Sequence, residues 1–396
     1  RDDTAHEAPT RRSYLKYIAA LGSAAGLAGC TGDSDATETE ESTSTTNTAE
    51  TEPYTVNMEP AGKVKFKSPP SRWLTLKKDA ADMSFALGQE DGLVAFEEPS
   101  KLAGFERWWA QIPNASFSTN NITKLKTNDR VAMEPFFEAN PDVNLVDPNS
   151  LLFSENQWSE EELQRVSDST GPFVGHLNDE PRPDSFPDYP VYTLYEEFEK
   201  YAELFQEEER YNQIKSLHDG FISRLRSNLP PEEERPTLGM FTGGFKPVQN
   251  KFDVRDFSRG GTEGKQYRDL EAINAFEQVF KNNPYQLGID YELLLEVDPE
   301  VITIQWGAEH VQAEYEKKFF EPLRNDERGQ RLSAVQNDRL YMGADPQQGP
   351  VANLFNTEML AKQLYPEQFG EWNGIGEHTE EERLFSRSQL GKILSS

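Results

Sequence analysis

Cysteine is almost missing from this chain: Cys30 is the only one in 396 residues. A lone thiol excludes a disulfide within the chain and any metal cage built on cysteine. Histidine is nearly as scarce, and His6, His176, His218, His310 and His378 are too scattered to mark a zinc site by spacing. Positive charge is in deficit as well, with 40 Lys+Arg against 69 Asp+Glu and a net charge of −29. Such a surface repels nucleic acid and anionic headgroups, which argues against a nucleic-acid partner. No Ser-His-Asp or Cys-His arrangement announces itself by local context, so nothing points to an enzyme. Long apolar runs are also wanting. The greasiest stretch, Tyr17 to Ala28, is about twelve residues long, whereas a helix needs ~20 to span a bilayer.

Aromatic residues are plentiful by contrast. The 24 Phe, 14 Tyr and 6 Trp lie mostly beyond Pro53, which separates the chain from disordered acidic segments and implies a folded, acid-coated protein. In composition it is similar to proteins of salt-loving archaea. Its length implies more than one compact unit, since a single core usually stops growing at about 250 to 300 residues.

The short apolar run has telling neighbours. Arg11, Arg12 and Lys16 precede it and small residues close it, the order of an export signal. Thr10-Arg-Arg-Ser-Tyr-Leu-Lys16 resembles the twin-arginine motif of proteins exported after folding, and Leu27-Ala-Gly-Cys30 resembles a lipobox. On that resemblance residues 1–29 are a signal peptide and Cys30 receives a lipid. Residues 30–53 are nearly all polar and read as a solvated tether. Two sequons, at Asn114 and Asn121, would face the outside of the cell.

Beyond the tether, apolar runs of strand and helix type alternate, as in an α/β fold. Residues 54–192 form one lobe, with strands expected at Trp73 to Leu76, Val143 to Val146 and Phe173 to Gly175. Helices are expected at Ala80 to Leu87, around Pro135 to Ala139, and from a Ser159-Glu-Glu-Glu162 capping box to Val166. Residues 193–230 lack proline until Pro230 and carry apolar residues mostly three or four apart from Leu194 to Leu225, which predicts one long connecting helix. Residues 231–396 form a second lobe, with strands at Thr237 to Phe241, Val301 to Trp306 and Leu340 to Met342, helices at Leu270 to Phe280 and Asn353 to Leu364, and a peripheral acidic tail. The expected architecture is two lobes, each a mainly parallel sheet flanked by helices.

One element occurs twice. Glu134-Pro-Phe-Phe-Glu-Ala-Asn-Pro141-Asp-Val matches Glu292-Leu-Leu-Leu-Glu-Val-Asp-Pro299-Glu-Val in layout: a Glu, a helical turn, a second Glu, then Pro, an acid and a strand. On spacing alone Glu134 and Glu292 are acids placed at helix starts, where the macrodipole favours them. The signal, lipobox, tether, paired lobes, connecting helix and repeated element together resemble the substrate-binding lipoproteins of ABC importers, of the single-helix-linked type that carries ferric siderophores and cobalamin. The likeness runs from Ala61 to Trp372. It implies a monomer moored by lipid at the outer face of the cytoplasmic membrane, working with an ABC permease and its ATPase and holding no cofactor of its own. It also implies that Glu134 and Glu292 dock onto permease arginines. A helix crossing between lobes hinges less readily than a pair of strands, so a small opening is expected.

The ligand of such a fold sits beyond the carboxyl ends of the strands. The residues there or in nearby loops are Lys78, Asp147, Trp158, His176, Phe245, Arg255, Trp306 and Asp345, of which Lys78, Trp158, His176, Phe245, Arg255 and Trp306 are the candidate ligand contacts. With so little histidine, a metal held inside an organic chelator, or a corrinoid, is expected over a bare ion. A lipid-anchored surface or adhesion protein, or a binder of some other small ligand, would satisfy the signal and tether equally.

Overall fold

The computed structural model describes residues 52–154, 156–178, 186–281, 287–306 and 312–396. The signal, Cys30 and most of the tether lie outside the described residues, as do His6 and His310.

Strands β1 (Tyr54–Met58) and β2 (Gly62–Phe66) make an antiparallel hairpin. The first sheet follows, with β3 (Trp73–Thr75), β4 (Leu93–Phe96), β5 (Thr123–Lys124) and β8 (Val143–Leu145), all parallel in the order β5-β4-β3-β8. A small antiparallel hairpin, β6 (Lys126–Thr127) with β7 (Arg130–Val131), trails it. Helix α1 (Lys78–Ala86) leaves β3, α2 (Ala103–Trp109) follows β4, α3 (Glu134–Ala139) feeds β8, and α4 (Glu160–Ser169) begins at the expected capping box. The expected strand at Phe173 to Gly175 is a single bridge from Phe173 to Asn144.

The second sheet contains β9 (Thr237–Phe241), β10 (Phe252–Val254), β11 (Ile273–Asn274), β12 (Leu287–Ile289), β13 (Val301–Ile304) and β14 (Leu340–Met342). β9, β13 and β14 are parallel neighbours, while on the other side of β9 lies β10, antiparallel to it, and beyond that β12, antiparallel to β10. The expected helix at Leu270 to Phe280 is not formed as such. Ile273 and Asn274 pair with β9 instead, the Asn274 carboxamide accepts from Phe276 N (2.9 Å), and only Glu277–Phe280 is helical.

The expected single helix over 193–230 is two helices. α5 (Leu194–Phe205) is closed by Gln206 in the left-handed region, at φ 59° and ψ 41°, and α6 (Glu208–Arg226) turns back. The ring of Tyr195 lies 4.4 Å from that of His218, and Phe198 lies 5.3 Å from Tyr211, so the pair is an antiparallel hairpin. The break falls in Gln206-Glu-Glu-Glu-Arg210, a polar interval in the apolar stripe.

Strand side chains alternate between two cores on each sheet. Leu74, Ala95, Phe136 and Val146 belong to an outer core on the first sheet, and Phe241, Ile302 and Ile304 to one on the second. Trp73, Val143, Leu238, Met240 and Val301 face a third core that both sheets share. At its centre runs α9 (Pro350–Leu364), buried along its whole length and packed against α1, α2, α5, α6 and α7 (Lys265–Asp269). The acidic tail is not peripheral. Its exposed Glu380-Glu-Glu382 hides a spaced apolar set, and Phe385, Leu390 and Ile393, the last two on helix α10 (Arg387–Leu394), fill the shared core.

Candidate functional site

The carboxyl ends of β3, β13 and β14 converge. Lys78, the first residue of α1, is an ion-pair partner of Asp345, which follows β14, and the two side chains are only 1% and 0% exposed. The Lys78 ammonium lies 4.7 Å from the centroid of the Trp306 ring and 5.7 Å from that of Phe105, within cation–π range. The Lys78 N–H also donates to the Gln347 side chain (3.2 Å), and Gln347 N donates to Asp345 (3.0 Å). Trp306 sits two residues past β13 at φ +70°, held by its N–H to Ala344 O (3.2 Å). A bulky residue is an outlier there, and such backbone strain clusters at ligand clamps. Beside it, Gln305 donates to Glu263 (2.7 Å), which pairs with the half-buried Arg255 (3.0 Å).

Lys78, Trp306 and Arg255 are therefore linked at the strand ends, as the sequence suggests. The other three ligand candidates go elsewhere. Trp158 is core, with its indole N–H given to Val131 O (3.0 Å) and its ring 5.2 Å from Phe136. Phe245 is core among Phe241, Phe252 and Phe319. His176 is buried, its Nδ1 bonded to Glu59 O (2.8 Å) and its ring 4.4 Å from Tyr192. Both tryptophan and phenylalanine follow a rule of composition: a large apolar side chain in a short loop is usually drawn inward. Asp147 is likewise buried, accepting from Leu177 N (3.0 Å) and the Tyr189 hydroxyl.

A second buried carboxylate adjoins the Lys78–Asp345 pair and was not apparent from sequence. Asp82, one turn further along α1, accepts from Ala352 N in the first turn of α9 (2.9 Å) and from the Trp109 indole (3.2 Å). Burial raises its pKa to about 7, with those hydrogen bonds opposing the rise. Gly349 makes this approach possible, because a Cβ there would sit 2.7 Å from the Asp82 carboxylate.

The repeated element is repeated in three dimensions. α3 ends at Asn140 (φ 44°, ψ 64°) and α8 (Tyr291–Val297) at Asp298 (φ 43°, ψ 65°), each followed by proline and a parallel strand, β8 and β13. The acid after each proline clamps the neighbouring strand. Asp142 accepts from Ser71 N and Arg72 N (both 2.9 Å), and Glu300 from Thr237 N (2.8 Å). A helix that runs back along the sheet brings its first turn towards the strands' carboxyl ends. Glu134 and Glu292 lie in those first turns, exposed, with no hydrogen bond or ion pair among the described residues.

Each glutamate helix is also braced from a loop. Asn156 accepts from Val131 N (2.9 Å) ahead of α3, and Asn250 accepts from Tyr291 N (3.0 Å) at the start of α8. Near those asparagines stand Phe153, 38% exposed, and Val248, 85% exposed, the two large apolar side chains most open to solvent among the described residues.

Among the described residues no group of three His, Cys, Asp or Glu is arranged to hold a metal ion, and no helix is long and apolar enough to cross a membrane.

A family model described as periplasmic binding protein matches residues 74–346. No curated protein matches the chain by sequence. Among solved structures it is similar to the triscatecholate siderophore binding protein FeuA of Bacillus subtilis in complex with ferri-bacillibactin, at TM-score 0.53 and 14% identity over 80% of this chain and 99% of that one. It is similar to the heme binding protein HmuT, at TM-score 0.54 and 13% identity over 81% and 92%. It is also similar to Helicobacter pylori CeuE in a nickel–histidine complex, at TM-score 0.52 and 14% identity over 80% and 90%.

Proposed function

Because the chain belongs to the periplasmic binding protein family, we propose that it captures a small ligand, a ferric siderophore or a corrinoid, at the strand ends and delivers it to an ABC permease. Binding proteins of this family carry no intrinsic cofactor, and any iron would travel as cargo within its chelator. The observation that carries the reading is the paired exposure of Glu134 and Glu292 on two helices of one design. A carboxylate at a helix start with no internal partner is free to take a charge-assisted hydrogen bond from a basic side chain of a partner, and two of them fix orientation as well as affinity. Phe153 and Val248 would add apolar contact beside each.

At the ligand site Trp306 offers an aromatic edge and Arg255 a cation, with Lys78 beneath. Cys30 would moor the protein by lipid at the outer face of the membrane, after export directed by Arg11 and Arg12, and one copy would serve one transporter.

Two measurements test this. Tryptophan fluorescence should respond to at least one member of a panel of ferric catecholates, ferric hydroxamates and cobalamin; a flat response from folded protein across the panel defeats the ligand assignment. Glu134→Ala combined with Glu292→Ala should abolish uptake while leaving ligand affinity intact. Unchanged uptake removes the docking assignment alone.

A further inference from the structure

The tail builds a small cavity with α6. It measures about 250 Å³ and is lined by Arg224 from α6 together with Glu380, Arg383, Ser386, Arg387 and Ser388. Three arginines around one small cavity are unexpected in a chain of net charge −29. Arg387 is 3% exposed; it pairs with Glu358, and its guanidinium lies 3.6 Å from the Phe385 centroid, yet its Nε has no acceptor. The buried Nε of Arg383 has none either, and that side chain makes no hydrogen bond or ion pair among the described residues. Among the described residues Arg224 donates only to backbone carbonyls, Gly220 O (3.1 Å) and Leu384 O (3.3 Å).

Buried N–H groups without acceptors are rare because each forfeits its hydration, so two on adjacent guanidiniums mark the place of an absent acceptor. Burial lowers the Arg387 pKa, and the charge of Arg383 acts in the same direction; a bound anion would relieve both. The eight-residue helix α10 starts at this cavity, so the positive end of its dipole adds to the same field. The Ser386 hydroxyl accepts from Gln389 N (3.1 Å), which leaves its own proton to donate. Guanidinium forks match tetrahedral oxyanions, and Glu380 at the same cavity can accept a hydrogen bond but give none when ionised.

We propose that this cavity binds a protonated phosphate group, free or as a monoester, with Arg224, Arg383 and Arg387 holding its oxygens and Glu380 accepting its P–OH. Sulfate carries no such proton at neutral pH and meets the Glu380 carboxylate as a like charge.

The test is calorimetry on the folded chain with inorganic phosphate, glycerol 3-phosphate and sulfate at matched ionic strength. Phosphate should bind saturably and sulfate at least about tenfold more weakly. Arg383→Gln, which breaks no hydrogen bond or ion pair among the described residues, should weaken phosphate binding by at least about tenfold, and Glu380→Gln should close the gap between phosphate and sulfate. Binding of glycerol 3-phosphate as tight as that of phosphate would assign the monoester source, and weaker binding the free anion. No saturable heat with any of the three, or binding indifferent to Arg383→Gln, overturns the site. Sulfate binding as tightly as phosphate overturns the role of Glu380.

Discussion

Lys78, Asp82 and Asp345, where the two sheets meet, are withdrawn from water and held by partners within the chain, whereas Glu134 and Glu292, at the starts of their helices, face solvent with none among the described residues. The side chains are of the same kinds, and only their surroundings differ. A charge buried in the seam has already spent its hydrogen-bonding capacity on holding the two sheets in register. A charge on the outer helices keeps that capacity for another molecule. Stability should therefore be sensitive at the seam and indifferent at the glutamate helices, and transport should show the reverse.

The largest effect is expected at the ion pair. Lys78→Met takes the ammonium partner away from the buried Asp345 carboxylate, which should cost about 3–5 kcal/mol of unfolding free energy by denaturant titration. Adding Asp345→Leu should restore most of it. A single variant as stable as the parent would mean that the seam admits water and that the contrast is false.

The next effect is one of pH. The Asp82 carboxyl binds its proton more tightly when folded, at a pKa of about 7 against 3.8 for the free side chain. The folded state then holds the extra proton between these values, so stability should fall as pH rises from about 4 to 7 and level off above. Asp82→Asn should remove roughly 2–4 kcal/mol of that fall. A wild-type profile already flat over the window would contradict the burial of this group.

Gly349→Ala comes third, because its Cβ would press on the Asp82 carboxylate and on Asp79 O without any backbone strain at φ −92°. A loss of about 1–3 kcal/mol is expected in thermal or chemical unfolding. Smallest is the pair Glu134→Ala and Glu292→Ala, which should shift stability by no more than about 0.5 kcal/mol. A larger loss would show these glutamates to be structural and would erase the distinction between the two regions.

Much of this was legible in advance where local pattern and tertiary role agree. The Ser159 capping box, the strands at Trp73, Val143, Thr237 and Leu340, and the repeated glutamate element all lie where expected. Of the ligand candidates, Lys78, Arg255 and Trp306 share the strand ends because they directly follow or flank strands. Trp158 and Phe245 were drawn into cores that no loop-based argument anticipates. The Gln206 break was visible only as a polar interval, and the packing of the hairpin decided it. Asp82 offered no signal at all, since an aspartate inside Lys78–Ala86 looks like any solvent-facing acid until α9 is laid against it. The tail misled for the opposite reason: its acids are real, but they cover Phe385, Leu390 and Ile393.

The burial of α9 sets an order of events in synthesis. The inner face of the first sheet is completed by residues 350–364 and by α10, so an early segment waits for one made some three hundred residues later. Contacts so distant in sequence form slowly, and until they form the inner core lies open to aggregation. A chain threaded outward from its amino end would deliver an unfinished lobe to the outside. One folded before export, the route proposed above for Arg11 and Arg12, would not carry that half-built surface outside.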